Sequence, residues 1–169
     1  AGEWAPGTPV TVHPATFGPD QPGMADLRHL RPGGSYLGSA STWPHTQGGM
    51  SEYLIVDASM VRVLPAGLSV RDAALAEPLA VGLHAINVAG GVDGARVLVS
   101  GSGPIGLLVA AGALASGAAS VACSDVLTGP LARARDLGVQ ATYRVGVDEI
   151  PDEAFDVVFE CSGAPAAVN

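Results

Sequence analysis

Lysine is absent from these 169 residues: the eight cationic side chains are all arginine, and sixteen acids outnumber them to leave a formal net charge of −8. The acids crowd into Asp148, Glu149, Asp152, Glu153, Asp156 and Glu160, and no basic stripe offsets them. Such a chain is a poor polyanion binder, so nucleic acid is not an expected partner. Hydrophobic residues reach 48%, but they come in short blocks broken by 23 glycines and 13 prolines. None of these blocks is long enough to span a bilayer, and a membrane is not expected either. Two cysteines, Cys123 and Cys161, do not make a disulfide framework. Both end apolar strand-like runs, where thiols serve as packing residues, and a reducing, cytoplasmic setting is expected. The opening "AGEWAPGTPVTVHPA" has neither the basic start nor the apolar core of a secretion signal.

What is present changes character along the chain. Up to about Ala66 there are short β-like runs, "TPVTVH", "SEYLIVD" and "MVRVLP", between loops rich in Pro and Gly. The polar excursion from Pro19 to Tyr36 has room for a short helix around Met24 to Leu30 at most. Ser69 and Asp72 form an S-x-x-D start signal for a helix, "VRDAALA". That helix meets Pro78, and because proline disfavours the α conformation in the residue before it, Glu77 is expected at a break before a second helix, "PLAVGLHAINVA". His84 falls inside this apolar helix and reads as a core residue, His13 carries no visible chemistry, and His45 lies in the loop "WPHTQGG".

From Arg96 the rhythm becomes strand, glycine turn, helix, strand, that of a parallel α/β sheet. "RVLVSG", "SVACSD", "ATYRV" and "FDVVFECSG" read as four strands, "PLARARDLG" as a helix capped at Gly138, and "APAAVN" as the start of another helix. Gly101, Gly103 and Gly106 form G-x-G-x-x-G, which alone is a weak signal in so glycine-rich a chain. Context strengthens it. The first glycine follows the β-branched run "VLVS", Pro104 suits the first turn of a helix, and that helix aims its free N–H groups above the turn, where a pyrophosphate fits. Asp125 ends the next strand, where a carboxylate accepts from the adenosine ribose hydroxyls and repels a 2′-phosphate, which favours NAD over NADP.

The segments "LAEPLAVGLHA", "GSGPIG", "SDV" and "ECSG", in that order, resemble the polyol dehydrogenase branch of the medium-chain, zinc-dependent dehydrogenases. Within it, "YLGSASTWPHTQGGMSEYLIV" is similar to L-idonate 5-dehydrogenases, with sorbitol and xylitol dehydrogenases next. The resemblance implies part of a GroES-like β-barrel catalytic domain over residues 1–78, then an incomplete doubly wound Rossmann domain over 79–169. It implies that the chain is an interior piece, with the Cys and Gly-His-Glu zinc ligands before it and two further strands after it. Glu77 matches the family's glutamate beside the catalytic zinc. Gly101, Gly103, Pro104, Ile105, Gly106, Asp125, Val126 and Cys161 match its cofactor-binding positions.

Two departures from the family stand out. Where relatives hold structural zinc with four cysteines, this chain has Phe17, Asp20 and Gly23, leaving Asp20 and His29 as poor candidate ligands, so no structural zinc is expected. Five residues past Asp125, an arginine that often covers the adenine is replaced by Pro130. The implied activity is NAD-dependent oxidation of a secondary alcohol in a polyol or sugar acid, with the alcohol polarised by zinc, in a homo-oligomer. The alternative is a zinc-free or non-catalytic dinucleotide-binding member of the same fold.

Overall fold

The computed structural model describes residues 4–41 and 43–167, so the last two residues of "APAAVN" lie outside the described residues. The chain divides into two compact units, Ala1–Ala74 and Leu75–Asn169.

The first unit is built from short strands, as its Pro- and Gly-broken sequence requires. Strands β1 (Val10–Val12) and β4 (Val61–Val63) pair antiparallel, as do β2 (Ala15–Thr16) and β3 (Ser35–Tyr36). Between β2 and β3 lies the excursion, of which only Arg28–Leu30 is helical, as one 3-10 turn. Arg31 organises it. Its side chain is 9% exposed, pairs with Asp20, and donates to the Met24 carbonyl at 3.2 Å and the Ala25 carbonyl at 3.3 Å. The Arg28 guanidinium stacks on Phe17, 4.7 Å from the ring centroid. An ion pair and a cation–π contact thus tie down the segment where relatives were expected to use thiolates. Asp20, a conceivable metal ligand by sequence, is taken up by Arg31.

"SEYLIVD" is not a strand. Residues 51–57 pair with no neighbour among the described residues, and Tyr53 and Ile55 are exposed. Alternating apolar residues supply a face, but a strand also needs a ladder partner. Helix α1 (Val70–Ala73) starts as expected at Ser69, whose hydroxyl oxygen accepts the Asp72 N–H at 3.0 Å. The hydroxyl also donates to the Asp72 carboxylate at 2.7 Å, in place of the backbone bond a full capping box would make.

The second unit begins with α2 (Ala76–Val88) and continues as β5 (Arg96–Ser100), α3 (Pro104–Ala115), β6 (Ser120–Asp125), α4 (Thr128–Leu137), β7 (Ala141–Arg144) and β8 (Val157–Glu160). The four strands form one parallel sheet in the order β7-β6-β5-β8. Val97, Val99, Val121 and Cys123 are fully buried in it, against Val109, Ala110 and Ala113 of α3. Glycines bring α2 and α3 close. A Cβ on Gly82 would stand 3.2 Å from the Val109 nitrogen, and one on Gly112 would stand 3.0 Å from Ile86 Cδ1. Gly138, at φ 100°, closes α4 in the left-handed conformation expected of it. At the sheet's other end, Arg96 and Asp156 form a forked pair at 2.8 and 3.1 Å that fixes β5 against β8. Both cysteines are free, and burial pushes the Cys123 thiol up to about 11, which keeps it inert.

Two expectations about α2 are corrected. The break falls at Ala74–Leu75, and Glu77 and Pro78 lie in the helix's first turn, where a proline forfeits no helical hydrogen bond. His84 lies on the exposed side of α2 and not in the core, because this helix is apolar around much of its circumference and composition alone did not mark the buried face.

Candidate functional site

The strand order reverses between β5 and β8, and the crevice beyond their carboxyl ends is where an open α/β sheet takes a ligand. The three motif glycines sit there with three different physical reasons. Gly101 has φ +95°, and a Cβ on it would lie 2.6 Å from the Ser162 nitrogen and 2.8 Å from the Cys161 carbonyl carbon, so the turn passes tightly under the loop after β8. Gly106 packs its helix onto the turn: a Cβ there would be 3.0 Å from the Gly101 carbonyl carbon. Gly103 caps α3 with an ordinary φ of −68°, and a Cβ on it would meet nothing within 4 Å. Neither packing nor backbone strain asks for glycine at 103, where the fold gains only a better N-cap than alanine. A ligand approaching the main chain would give a reason for it.

Pro104 is the first residue of α3, as expected, and Ile105 beside it is 38% exposed. The first turn of α3 has no acid and no side-chain cap, which leaves its first N–H groups open to a ligand. These features fit a dinucleotide pyrophosphate.

Asp125 ends β6 next to the turn. One carboxylate oxygen accepts the Ser102 N–H and the other the Leu127 N–H, each at 2.8 Å. Beside its expected role toward a ribose, it therefore positions the glycine turn. Val126, which follows it, is 61% exposed. Ser102 is fully buried and donates its hydroxyl to the Ser124 carbonyl at 3.1 Å. Cys161 lies at the crevice, half-buried, its N–H donating to the Ser100 carbonyl at 2.7 Å, and burial followed by the Glu160 charge raises its thiol.

The sequence reading passed over Ser102 and Glu160. Glu160 accepts the Ser162 N–H at 2.7 Å and the Gly163 N–H at 3.2 Å, and takes the Ser162 hydroxyl as well. The Ser162 hydroxyl, ahead of the backbone bonds, holds its carboxyl below the usual range. The available signal was an acid two residues before a Ser-Gly pair at a strand end, a turn-forming pattern. Glu77 lies in the first turn of α2. His45 lies in the first unit, exposed, edge-on to Trp43 at 5.1 Å. Among the described residues no three His, Cys, Asp or Glu side chains group as a metal site, so zinc does not find a full ligand set in them.

No protein-family model matches the chain. It is 37% identical over 139 residues to L-idonate 5-dehydrogenase (NAD(P)(+)) of Escherichia coli K12, a match covering 79% of this chain and 40% of that protein. It is 36% identical over 140 residues to sorbitol dehydrogenase 1 of Saccharomyces cerevisiae, covering 75% and 39%. The crystal structure of the Escherichia coli L-idonate 5-dehydrogenase superposes with a TM-score of 0.87 at 32% identity, over 94% of this chain and 48% of that one. The chain thus spans about two fifths of the length of the curated relatives it matches. With homologues that are polyol dehydrogenases and a fold shared across both units, the chain belongs to the medium-chain, zinc-dependent dehydrogenase family.

Proposed function

We propose that the chain supplies the cofactor-binding unit and part of the catalytic unit of an NAD-dependent dehydrogenase that oxidises a secondary alcohol of a polyol or sugar acid, working as a homo-oligomer in the cytoplasm. The observation that carries this reading is Gly103: a glycine with unstrained backbone and open space above it, between two glycines that the fold does require. The main-chain N–H groups of the turn and of α3 hold the pyrophosphate, and Asp125 takes the ribose hydroxyls. Val126 and Ile105 offer apolar surface to the nucleotide, and Cys161 lines the crevice. Glu77 tunes a catalytic zinc whose other ligands are not among the described residues, and the lobe around Arg31 holds no structural metal. When bound, the dinucleotide supplies the hydride acceptor.

The alternative, a dinucleotide-binding member without zinc chemistry, draws on the lack of a three-ligand group among the described residues. Calorimetric titration of the full protein with NAD, metal analysis, and NAD-linked oxidation of a polyol and sugar-acid panel decide between them. Binding with turnover and about one zinc per subunit supports the enzyme. Binding without zinc or turnover supports the alternative, and no NAD binding refutes both.

A further inference from the structure

Strand β7 pairs with β6 so that Arg144 stands in register with Asp125. Alternation puts the two side chains on one face of the sheet, together with Thr142, whose hydroxyl accepts from Arg135 of α4 at 2.7 Å. Tyr143, between them, faces the other way and meets Phe155 edge-on, with ring centroids 6.5 Å apart. The backbone at Arg144 is fixed: its N–H donates to the Asp148 carboxylate at 2.7 Å, and its carbonyl accepts the N–H groups of Val147 at 3.0 Å and Asp148 at 2.9 Å.

The Arg144 guanidinium is exposed and has no hydrogen bond or ion pair among the described residues. The anions near it, Asp125 and Asp148, are both engaged by main-chain N–H donors. The first turn of α4, which follows Asp125, offers no competing cation, since Thr128, Gly129 and Pro130 occupy it. Neighbouring strands lie about 4.8 Å apart, within the reach of an extended arginine.

We propose that Arg144 is a specificity-determining residue of the cofactor site, receiving a 2′-phosphate on the adenosine ribose so that NADP is accepted beside NAD. Asp125 and Arg144 act as an opposed pair. The carboxylate favours a free 2′-hydroxyl, and the guanidinium, whose fork matches phosphate oxygens, offsets the carboxylate's repulsion of the phosphate. This rests on the dinucleotide reading given above.

Calorimetric titration of the full protein with 5′-AMP and with adenosine 2′,5′-bisphosphate tests it without turnover. Arg144→Ala should weaken the bisphosphate by about tenfold, Arg144→Lys by less, and neither should alter 5′-AMP binding by more than about twofold. Asp125→Ser should strengthen the bisphosphate relative to 5′-AMP, and adding Arg144→Ala should remove that gain. Unchanged bisphosphate affinity in Arg144→Ala, with 5′-AMP binding intact, overturns the role of Arg144. Failure of the unaltered protein to bind 5′-AMP overturns the dinucleotide reading beneath it.

Discussion

Alanine at Gly106 and alanine at Gly103 separate what the glycine turn does for the fold from what it does for a ligand. A Cβ on Gly106 falls 3.0 Å from the Gly101 carbonyl carbon, nearer still to its oxygen, and 3.3 Å from Val99 Cγ1. Neither neighbour yields easily, since Val99 is fully buried and the Gly101 N–H is bonded to the Ser124 carbonyl at 2.8 Å. Overpacking of this kind costs about 1–3 kcal/mol, against the roughly 1 kcal/mol that alanine gains over glycine inside a helix. Strain outweighs propensity, and Gly106→Ala should lower Tm by about 2–4 °C if the net loss is near 1 kcal/mol. At Gly103 the added methyl meets nothing and φ is ordinary. The poorer N-cap is offset by a less flexible unfolded chain, each about 0.5–1 kcal/mol, so Tm should hold within about 2 °C. The same methyl would occupy the space of the pyrophosphate, and NAD affinity should fall at least about tenfold, roughly 1.4 kcal/mol. Scanning calorimetry and NAD titration on the full protein read both quantities. A Gly103→Ala variant that binds NAD as tightly as the parent refutes the assignment of that space to a ligand.

Two further outcomes follow from side chains away from the crevice. Asp156 is held at about 2 in the fold by Arg96, against 3.8 for the free side chain; its stabilisation is complete above the free value and lost as pH falls through the folded one. Asp156→Asn should therefore flatten the acid limb of a Tm-against-pH curve between about pH 4 and 2, and an unchanged limb would count against the fork between β5 and β8. Arg31→Met leaves the Met24 and Ala25 carbonyls without that donor and should loosen the lobe by about 1–3 kcal/mol. Limited proteolysis within residues 19–34 should accelerate, and equal cleavage rates would show that Arg31 does not hold it.

How far each element could be read from sequence depended on how local its cause is. Gly138, Pro104 and Ser69 act on the turn in which they stand, and each was found where its own chemistry puts it. The buried parallel strands announce themselves as β-branched runs because both faces are covered. "SEYLIVD" misled for the opposite reason: its alternation is local, but the partner a strand needs is not. Pro78 misled through geometry, since the N–H at the third position of a helix has no carbonyl within the helix to bond. His84 misled because Val81, Leu83 and Val88 of the same helix are themselves exposed, so an apolar neighbourhood in sequence was no guide to burial.

The glycines of the site and Asp125 were legible; the structural work of its carboxylates was not, because they act on main-chain N–H groups that no side-chain pattern displays. Asp125, Asp148 and Glu160 stand at or just past the ends of β6, β7 and β8, and each accepts from the backbone of the turn there. In sequence they are part of the acidic excess that argued against a polyanionic partner. In the fold their negative charge meets N–H donors and orders the rim before any ligand arrives, which lowers the entropy cost of binding. The first turn of α3, by contrast, carries no acid. In a chain with a net charge of −8, α3 thus starts at Gly103 with no acid in its own first turn, and its main-chain donors suit an incoming pyrophosphate.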